Sequence, residues 1–468
     1  MTAADLVPAL ALLAVLTREL LWLSATAIAI SSIDDIAVDA LWLTRVAFRR
    51  APDLPAEPAE PGRFAILVPA WDEADVIGPM LTRLLSTLEH PDYTVFVGVY
   101  PNDPATCAAV AQVSDVRIIT VLTSSPGPTT KADCLNHLWT AALAQEDVAG
   151  VRFKAIVLHD AEDIVHPASL GLYDRLMPAL SMVQLPVLPL PDADSRWVSG
   201  HYLDEFAQNH AKDMMVRAVL DAPIPSAGVG TAIDRLVLER LAGPGGVPFD
   251  AGSLTEDYEI GHRLNRIGLK GRMIRVWKDG ELVATREYFP ATIDAAVRQK
   301  SRWLIGIALS GWDRLGWDGS IASRWMLVRD RKGLFTAVVA VLAYGAAALT
   351  IGQMAVRALV SSAIGQPLPP LLGAEGALLP AFLLFNAGLL LWRLVMRMGF
   401  TGRHFGLAEA LRAGPRAVIA NAINFLAAMR AVQRYRGTVF QGQPPLWDKT
   451  VHRFPAEPVS ARFAAPHG

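Results

Sequence analysis

From Leu334 to Val356 the chain runs LFTAVVAVLAYGAAALTIGQMAV, 23 residues without a charged side chain. At a helical rise of about 1.5 Å per residue, such a run is long enough to cross a hydrocarbon core of about 30 Å. No water is available there for unpaired backbone groups, so the segment is predicted to be a helix whose amides bond internally. That obligation governs the rest of the chain, which must then be attached to a bilayer. A second apolar stretch, Gly376 to Trp392, runs into Arg393, Arg397 and Arg403, and Glu375 is the only charge between Arg357 and Arg393. A third, Val7 to Ile33, is broken only by the adjacent Arg18 and Glu19. No basic residue precedes it and no clean small-residue cleavage site follows, so it is expected to be a retained span and not a cleaved signal.

After Asp34 and Asp35, the segment IAVDALWLTRVAFRR reads as an amphipathic helix lying on the membrane surface. Arg45, Arg49 and Arg50, like Arg329, Arg331 and Lys332 before the second span, place residues ~36 to 333 in the cytoplasm by the positive-inside rule. The tail FGLAEALRAGPRAVIANAINFLAAMRAVQRYR is interrupted by Arg412, Arg416 and Arg430 and predicts a pair of interfacial helices. The expected organisation is a span plus interfacial helix (1–50), a Pro- and acid-rich linker (51–62), a cytosolic domain (63–333), two spans (334–400), and interfacial helices with a tail (401–468).

The chain is 52% hydrophobic and only 19% charged, against roughly 25% charged in an average soluble domain, and the spans account for the excess. A net charge of -2 argues against a protein that neutralises nucleic-acid phosphates. Cys107 and Cys134, 27 positions apart, support neither a disulfide framework nor a cysteine metal site.

Within the cytosolic domain, FAILV (Phe64 to Val68), VFVGVY (Val95 to Tyr100), VRIITVL (Val116 to Leu122) and FKAIVLH (Phe153 to His159) read as near-continuous apolar strands. Segments of helical period lie between them, so the predicted fold class is α/β, a doubly wound, mostly parallel sheet. Such sheets bind ligands beyond the carboxyl ends of their strands. Three of the four strands end in acids: Asp72-Glu73, Asn102-Asp103, and Asp160-Ala161-Glu162-Asp163. Turn chemistry and helix capping account for such residues one cluster at a time. Three carboxylates within four residues repel one another and are better explained with a divalent cation, Mg²⁺ or Mn²⁺. There is no Walker loop, and Ala227-Gly228-Val229-Gly230-Thr231 lacks the third glycine of a dinucleotide fingerprint.

The strand-end acids, Lys131-Ala132-Asp133 with Asn136, His159-Asp160-Ala161-Glu162-Asp163, Thr255-Glu256-Asp257, and Gln299-Lys300-Ser301-Arg302-Trp303 together resemble the membrane-bound family 2 glycosyltransferases. VPAWDEADVIG, PSAGVGTAI, REYFP and WDKTVHRFP carry a closer resemblance to the bacteriophage adsorption protein B family, from Asp34 to about Pro455. That family carries a further C-terminal domain responsive to a cyclic dinucleotide. Only EPVSARFAAPHG follows here, so the resemblance leaves this regulation open for the chain.

The resemblance implies a GT-A type nucleotide-sugar-binding domain at the cytoplasmic face of a bacterial inner membrane. It assigns Asp160 to nucleotide and metal and Glu162 to the metal, with Asp163 in support; His159 and His166 are read as structural. Pro69, Glu73 and Asp103 would hold base and ribose, and Lys131 a phosphate. Asp257 would be the general base, with Glu256 and Glu259 raising its pKa. On a helix, Gln299, Arg302 and Trp303 share one face at i, i+3 and i+4. They would hold the acceptor chain, the leaving diphosphate and an acceptor sugar respectively. The implied reaction is metal-dependent, inverting transfer from a UDP-linked donor to a growing envelope polysaccharide, possessing N-acetylated hexosamine units and an outer-membrane or export partner. Transfer of one sugar to a lipid phosphate carrier and a non-catalytic envelope scaffold or phage-receptor component remain the alternatives.

Overall fold

The computed structural model describes residues 6–48, 54–372, 376–441 and 449–455. Arg49, Arg50, Glu375, Trp447 and Asp448 lie outside the described residues.

The first element, α1 (Val7–Arg45), is one continuous helix of 39 residues, where a span followed by a separate surface helix was expected. Asp34 and Asp35 do not break it because both are neutralised along its side: Asp34 meets Arg329 at 2.8 Å, and Asp35 pairs with Lys332 at 2.9 Å and with Arg393. Its last turns are not laid on a surface. Val38 and Asp39 are buried, and Asp39 bonds Lys212 of the sheet-containing domain and Trp392 Nε1 (2.8 Å).

The domain after α1 holds β1 (Phe64–Pro69), β2 (Tyr93–Val99), β3 (Ile118–Leu122), β4 (Ala155–Leu158), β5 (Met182–Gln184), β6 (Val187–Pro189), β7 (Thr231–Asp234), β8 (Gly271–Met273), β9 (Trp277–Lys278), β10 (Glu281–Leu282) and β11 (Thr285–Glu287). The main sheet has seven strands in the order β3-β2-β1-β4-β7-β5-β8. All four strands expected from sequence are adjacent and mutually parallel, while β7 runs antiparallel to both β4 and β5. β1, β2 and β4 are buried along their whole length. β3 departs from the expected buried run: it is the sheet edge, and Leu122 is exposed. β5, β7 and β8 have only three or four residues each, too few to show a period in sequence.

Helices α2 (Ala74–Thr87), α3 (Pro104–Ala111), α4 (Lys131–Ala149), α5 (Ser169–Leu176), α6 (Gly200–Gln208), α7 (Met214–Val219), α8 (Arg235–Ala242) and α9 (Glu256–Arg266) surround the sheet. Apolar clusters cover both of its faces, one centred on Ile66, Val68 and α2, the other on Leu67, Phe96 and α4. A sheet buried on both faces leaves its strand ends as the place for polar chemistry.

Helices α10 (Ile293–Leu304), α11 (Ser310–Leu315) and α12 (Ile321–Arg331) lead to α13 (Gly333–Ile364), α14 (Leu378–Phe405) and α15 (Leu407–Gln441). Three helices, α1, α13 and α14, are long and apolar enough to cross a membrane. The expected interfacial pair in the tail is a single helix, α15, running through Pro415. It packs on α10, α13 and α14 and buries Ala413, Ile423, Ala427 and Ala431. Arg416, which had argued against burial, is completely buried because Asp204 (2.7 Å) and Glu409 (2.6 Å) neutralise it.

Candidate active site

β1, β2 and β4 run parallel, so the segments that follow them leave the same edge of the sheet. Pro69, Glu73, Asp160 and Glu162 thereby line one cleft of about 1010 Å³. Lys131, at the start of α4, and Glu256 and Asp257, in the first turn of α9, enter from the side. Gln299, Arg302 and Trp303 close the opposite wall from one face of α10. Ten of the eleven residues singled out from sequence therefore meet here. Asp103 is the exception: it caps α3 through Thr106 N (3.2 Å) and accepts from Asp72 N (2.6 Å), fixing the turn that carries Glu73.

Asp160 and Glu162, expected to share a role, have different partners. Asp160 lies 2.5 Å from Lys131 Nζ, which also donates to Gly228 O at 3.3 Å. Burial works against the Lys131 charge, but Asp160, Glu256 and Asp257 outweigh it and hold the amine protonated. Glu162 instead clusters with Glu73 and His452, one ligand atom from each lying within 4.8 Å of the others. His452 Nδ1 is 2.9 Å from Glu73 Oε1 and 3.1 Å from Glu162 Oε1. Burial disfavours the imidazolium, yet the two carboxylates raise its pKa well above the ordinary histidine value. A positive charge is thus required between Glu73 and Glu162. Two carboxylates and an imidazole form a donor set that fits a divalent cation such as Mn²⁺.

His452 is the functional candidate that residue-by-residue reasoning did not reach. It lies 290 positions beyond Glu162, and WDKTVHRFP gave no physical clue beyond its resemblance. The segment that carries it is pinned over the cleft: Lys449 Nζ reaches Glu73 (3.2 Å), Arg453 pairs with Asp192, and Phe454 packs on the core. Gly228 and Gly230 were also set aside in sequence. Both take left-handed φ values (81° and 59°), and their loop lies directly against Asp257 and Lys131.

Of the two expected sources of the Asp257 shift, Glu256 stands as a mutually repelling neighbour and Glu259 needs correction. The pKa of Asp257 is raised first by burial and then by the charge of Asp160, while Lys131 and Arg302 oppose this. Glu259 is neutralised at 2.6 Å by Arg314 and held by Ser253 Oγ (2.8 Å). Burial and the neighbouring Asp257 push Glu256 up to about 8. Thr255 takes the N-cap position of α9 without a side-chain cap bond. Instead, Gly306, in the π-helical turn after α10, lies against its side chain and seats the Arg302–Trp303 helix on the catalytic acids. His159 is buried, 2.6 Å from Asp163, and Asp163 also accepts from Asp160 N (3.1 Å), both supporting roles. His166 likewise holds its own turn by accepting from Ala168 N.

Glu287, at the end of β11, joins the cleft beside Phe289, and burial followed by the charges of Asp163, Glu162 and Asp160 holds its carboxyl well above the usual range. Gln299 lines the cleft, and its Oε1 is buried without a hydrogen-bond partner among the described residues. A second cavity, of about 1440 Å³, adjoins the first, and Phe206, Ala227, Thr255, Asp257 and Trp303 line both.

A mixed sheet of this order, with carboxylates at the ends of β1 and β4 and a further acid pair opposite, defines a glycosyltransferase of GT-A-like fold. The chain belongs to glycosyltransferase like family 2, whose model matches residues 61–306. It is similar to the bacteriophage adsorption protein B of Escherichia coli (strain K12) and the bacteriophage N4 adsorption protein B of Escherichia coli O157:H7, 36% identical to each over 94% of this chain. The chain spans 62% of the length of each of these relatives. Among solved structures, a mannosyltransferase from Pyrobaculum calidifontis, in complex with GDP-Man and Mn²⁺, shares the fold with a TM-score of 0.53 and 15% identity. The match covers 89% of this chain and 99% of that one.

Proposed function

We propose that this chain is an inner-membrane, metal-dependent, inverting glycosyltransferase that moves a sugar from a nucleotide-sugar to a growing envelope polysaccharide, with its active site facing the cytoplasm. The observation that carries the reading is the position of Asp257, at the junction of the acid-lined cleft and the second cavity. A base there meets a donor from one side and an acceptor from the other.

Asp257 accepts the proton of the acceptor hydroxyl as that oxygen bonds to the anomeric carbon. The bond from that carbon to the donor phosphate breaks on the opposite side. One displacement with one carboxylate base inverts the configuration, and no enzyme nucleophile is required. Lys131 and Arg302 provide positive charge where the diphosphate leaves. Glu73, Glu162 and His452 would hold the divalent ion, which supplies further charge stabilisation to the diphosphate. The fold relative in complex with GDP-Man and Mn²⁺ holds a nucleotide-sugar and a divalent ion of the kind proposed here. Gln299 and Trp303 then orient the acceptor, Trp303 by stacking on a sugar face.

The second cavity favours a glycan acceptor over a lipid phosphate. Its three arginines are all engaged, Arg217 with Asp330, Arg329 with Asp213 at 2.9 Å, and Arg397 with Asp204 at 3.1 Å. A lining polar but internally neutralised suits hydroxyl groups and leaves none of these cations for a phosphate. Purified protein with Mn²⁺ and radiolabelled nucleotide-sugars should release free nucleotide diphosphate and form a water-soluble labelled glycan. An organic-soluble product carrying one sugar would refute the polysaccharide reading.

A further inference from the structure

Glu287 is placed in the cleft by strand geometry. β11 pairs in parallel with β6, and Leu190 N bonds Glu287 O at 2.8 Å, so the backbone is fixed on this side. Alternation along the strand sends Thr285 and Glu287 to one face and Arg286 to the other, where its backbone pairs with Ile164. The Glu287 side chain lines the cleft close enough to Glu162 and Asp160 to feel their charge, and Phe289 and Trp303 line the same cleft.

Four of the other five acids of the cleft have a partner, and the fifth, Glu256, stands beside Asp257 in the first turn of α9. Asp160 is paired with Lys131, Glu73 and Glu162 share His452, and Asp257 accepts from Tyr258 N at 2.7 Å. Glu287 has no side-chain hydrogen bond or ion pair among the described residues, although it is partly buried. A polar group in such a place is costly unless a ligand completes it. The ligand portion that must lie between a diphosphate near Lys131 and an attacking oxygen at Asp257 is the transferred sugar.

We infer that Glu287 is the specificity-determining residue for the donor sugar: its carboxyl binds hydroxyl groups of the ring, and the sugar it selects is neutral. Six carboxyl side chains line the cleft against three cationic ones, Lys131, Arg302 and His452. A hexuronate would add a negative charge to a cleft already rich in carboxyl groups, whereas a hexose or N-acetylhexosamine adds hydrogen-bond donors. This inference rests on the nucleotide-sugar reading above.

The test measures Mn²⁺-dependent binding of UDP, GDP, and their hexose, N-acetylhexosamine and glucuronate conjugates by calorimetry. Glu287→Ala should weaken the preferred neutral conjugate by about 10- to 100-fold while leaving the parent diphosphate unchanged, and Glu287→Gln should recover part of the loss. Unchanged diphosphate binding also shows that the variant is folded. Equal changes for conjugate and diphosphate, or none, would overturn the role of Glu287. Wild-type affinity for the glucuronate equal to that for the neutral sugars would overturn the sugar class. If the wild type binds none of these nucleotides, the nucleotide-sugar reading itself fails, a result distinct from loss of sugar selectivity alone.

Discussion

Gly228→Ala tests whether the glycine loop positions the base. Gly228 has φ +81°, and an added Cβ would stand 2.6 Å from Asp257 Oδ2 and 3.2 Å from Lys131 Nζ. The left-handed backbone alone costs an alanine about 1–2 kcal/mol. The contact is a separate effect: Asp257 must withdraw by about 0.8 Å to regain ordinary van der Waals distance. A displacement of about 1 Å at a reacting group lowers turnover by roughly 10²-fold. Gly150→Ala is the control, because Gly150 has a similar φ of +66° at the end of α4 but nothing within 4 Å of its added Cβ. Both variants should lose similar stability in thermal unfolding. Only Gly228→Ala should lose kcat, measured as nucleotide diphosphate release at saturating donor and Mn²⁺. Equal kcat in the two variants would refute the claim that this loop sets the position of Asp257.

Asp257→Asn should abolish turnover while donor binding persists. In the wild type, kcat/KM should rise with pH through a limb above the ordinary aspartate value, because the raised pKa keeps the base protonated in acid; a limb at or below that value would contradict the burial argument. His452→Ala should weaken Mn²⁺ binding in the absence of nucleotide by at least about tenfold, read by paramagnetic resonance titration, and unchanged affinity would remove His452 from the ligand set. Arg416→Met should destabilise the protein by about 3–5 kcal/mol, since it removes a partner from buried Asp204 and half-buried Glu409; only partial recovery is expected when Asp204→Asn is added, because Arg397 also pairs with Asp204. Burial lowers the pKa of His159, His210 and His262 to about 3 each. Their contribution to stability is present above the unfolded value of about 6.5 and is lost as pH falls below it. These histidines should therefore lower the melting temperature between pH 7.5 and 5.5, opposed by His452 and by Glu256 and Glu287, whose raised pKa values add stability as pH falls, so His210→Phe should shift the pH profile of melting toward higher stability in acid.

Features that arise from local chemistry were legible in the sequence. A charge-free run of helical length gives a membrane helix in any surroundings, and strands buried on both faces must be continuously apolar, as Phe64–Val68 and Val95–Tyr100 are. Parallel strands then bring their terminal acids together, so Glu73, Asp160 and Glu162 could be selected from sequence, whereas Asp257 was reached only through the family resemblance. Pairwise partnership was not legible, because it depends on distances between segments hundreds of residues apart. Asp103 became a cap, Asp160 acquired Lys131, and Glu162 acquired Glu73 and His452. The helices that looked interfacial were misread for the same reason. A charge within an apolar helix signals exposure only when nothing neutralises it, and Asp39 and Arg416 find Lys212 and Asp204 only after the catalytic domain docks on the membrane helices. Composition and period thus determined the elements and the kind of chemistry, since both act over a few residues. The tertiary structure alone decided which charges meet, because a buried charge is stable only beside its partner and that partner is chosen by packing.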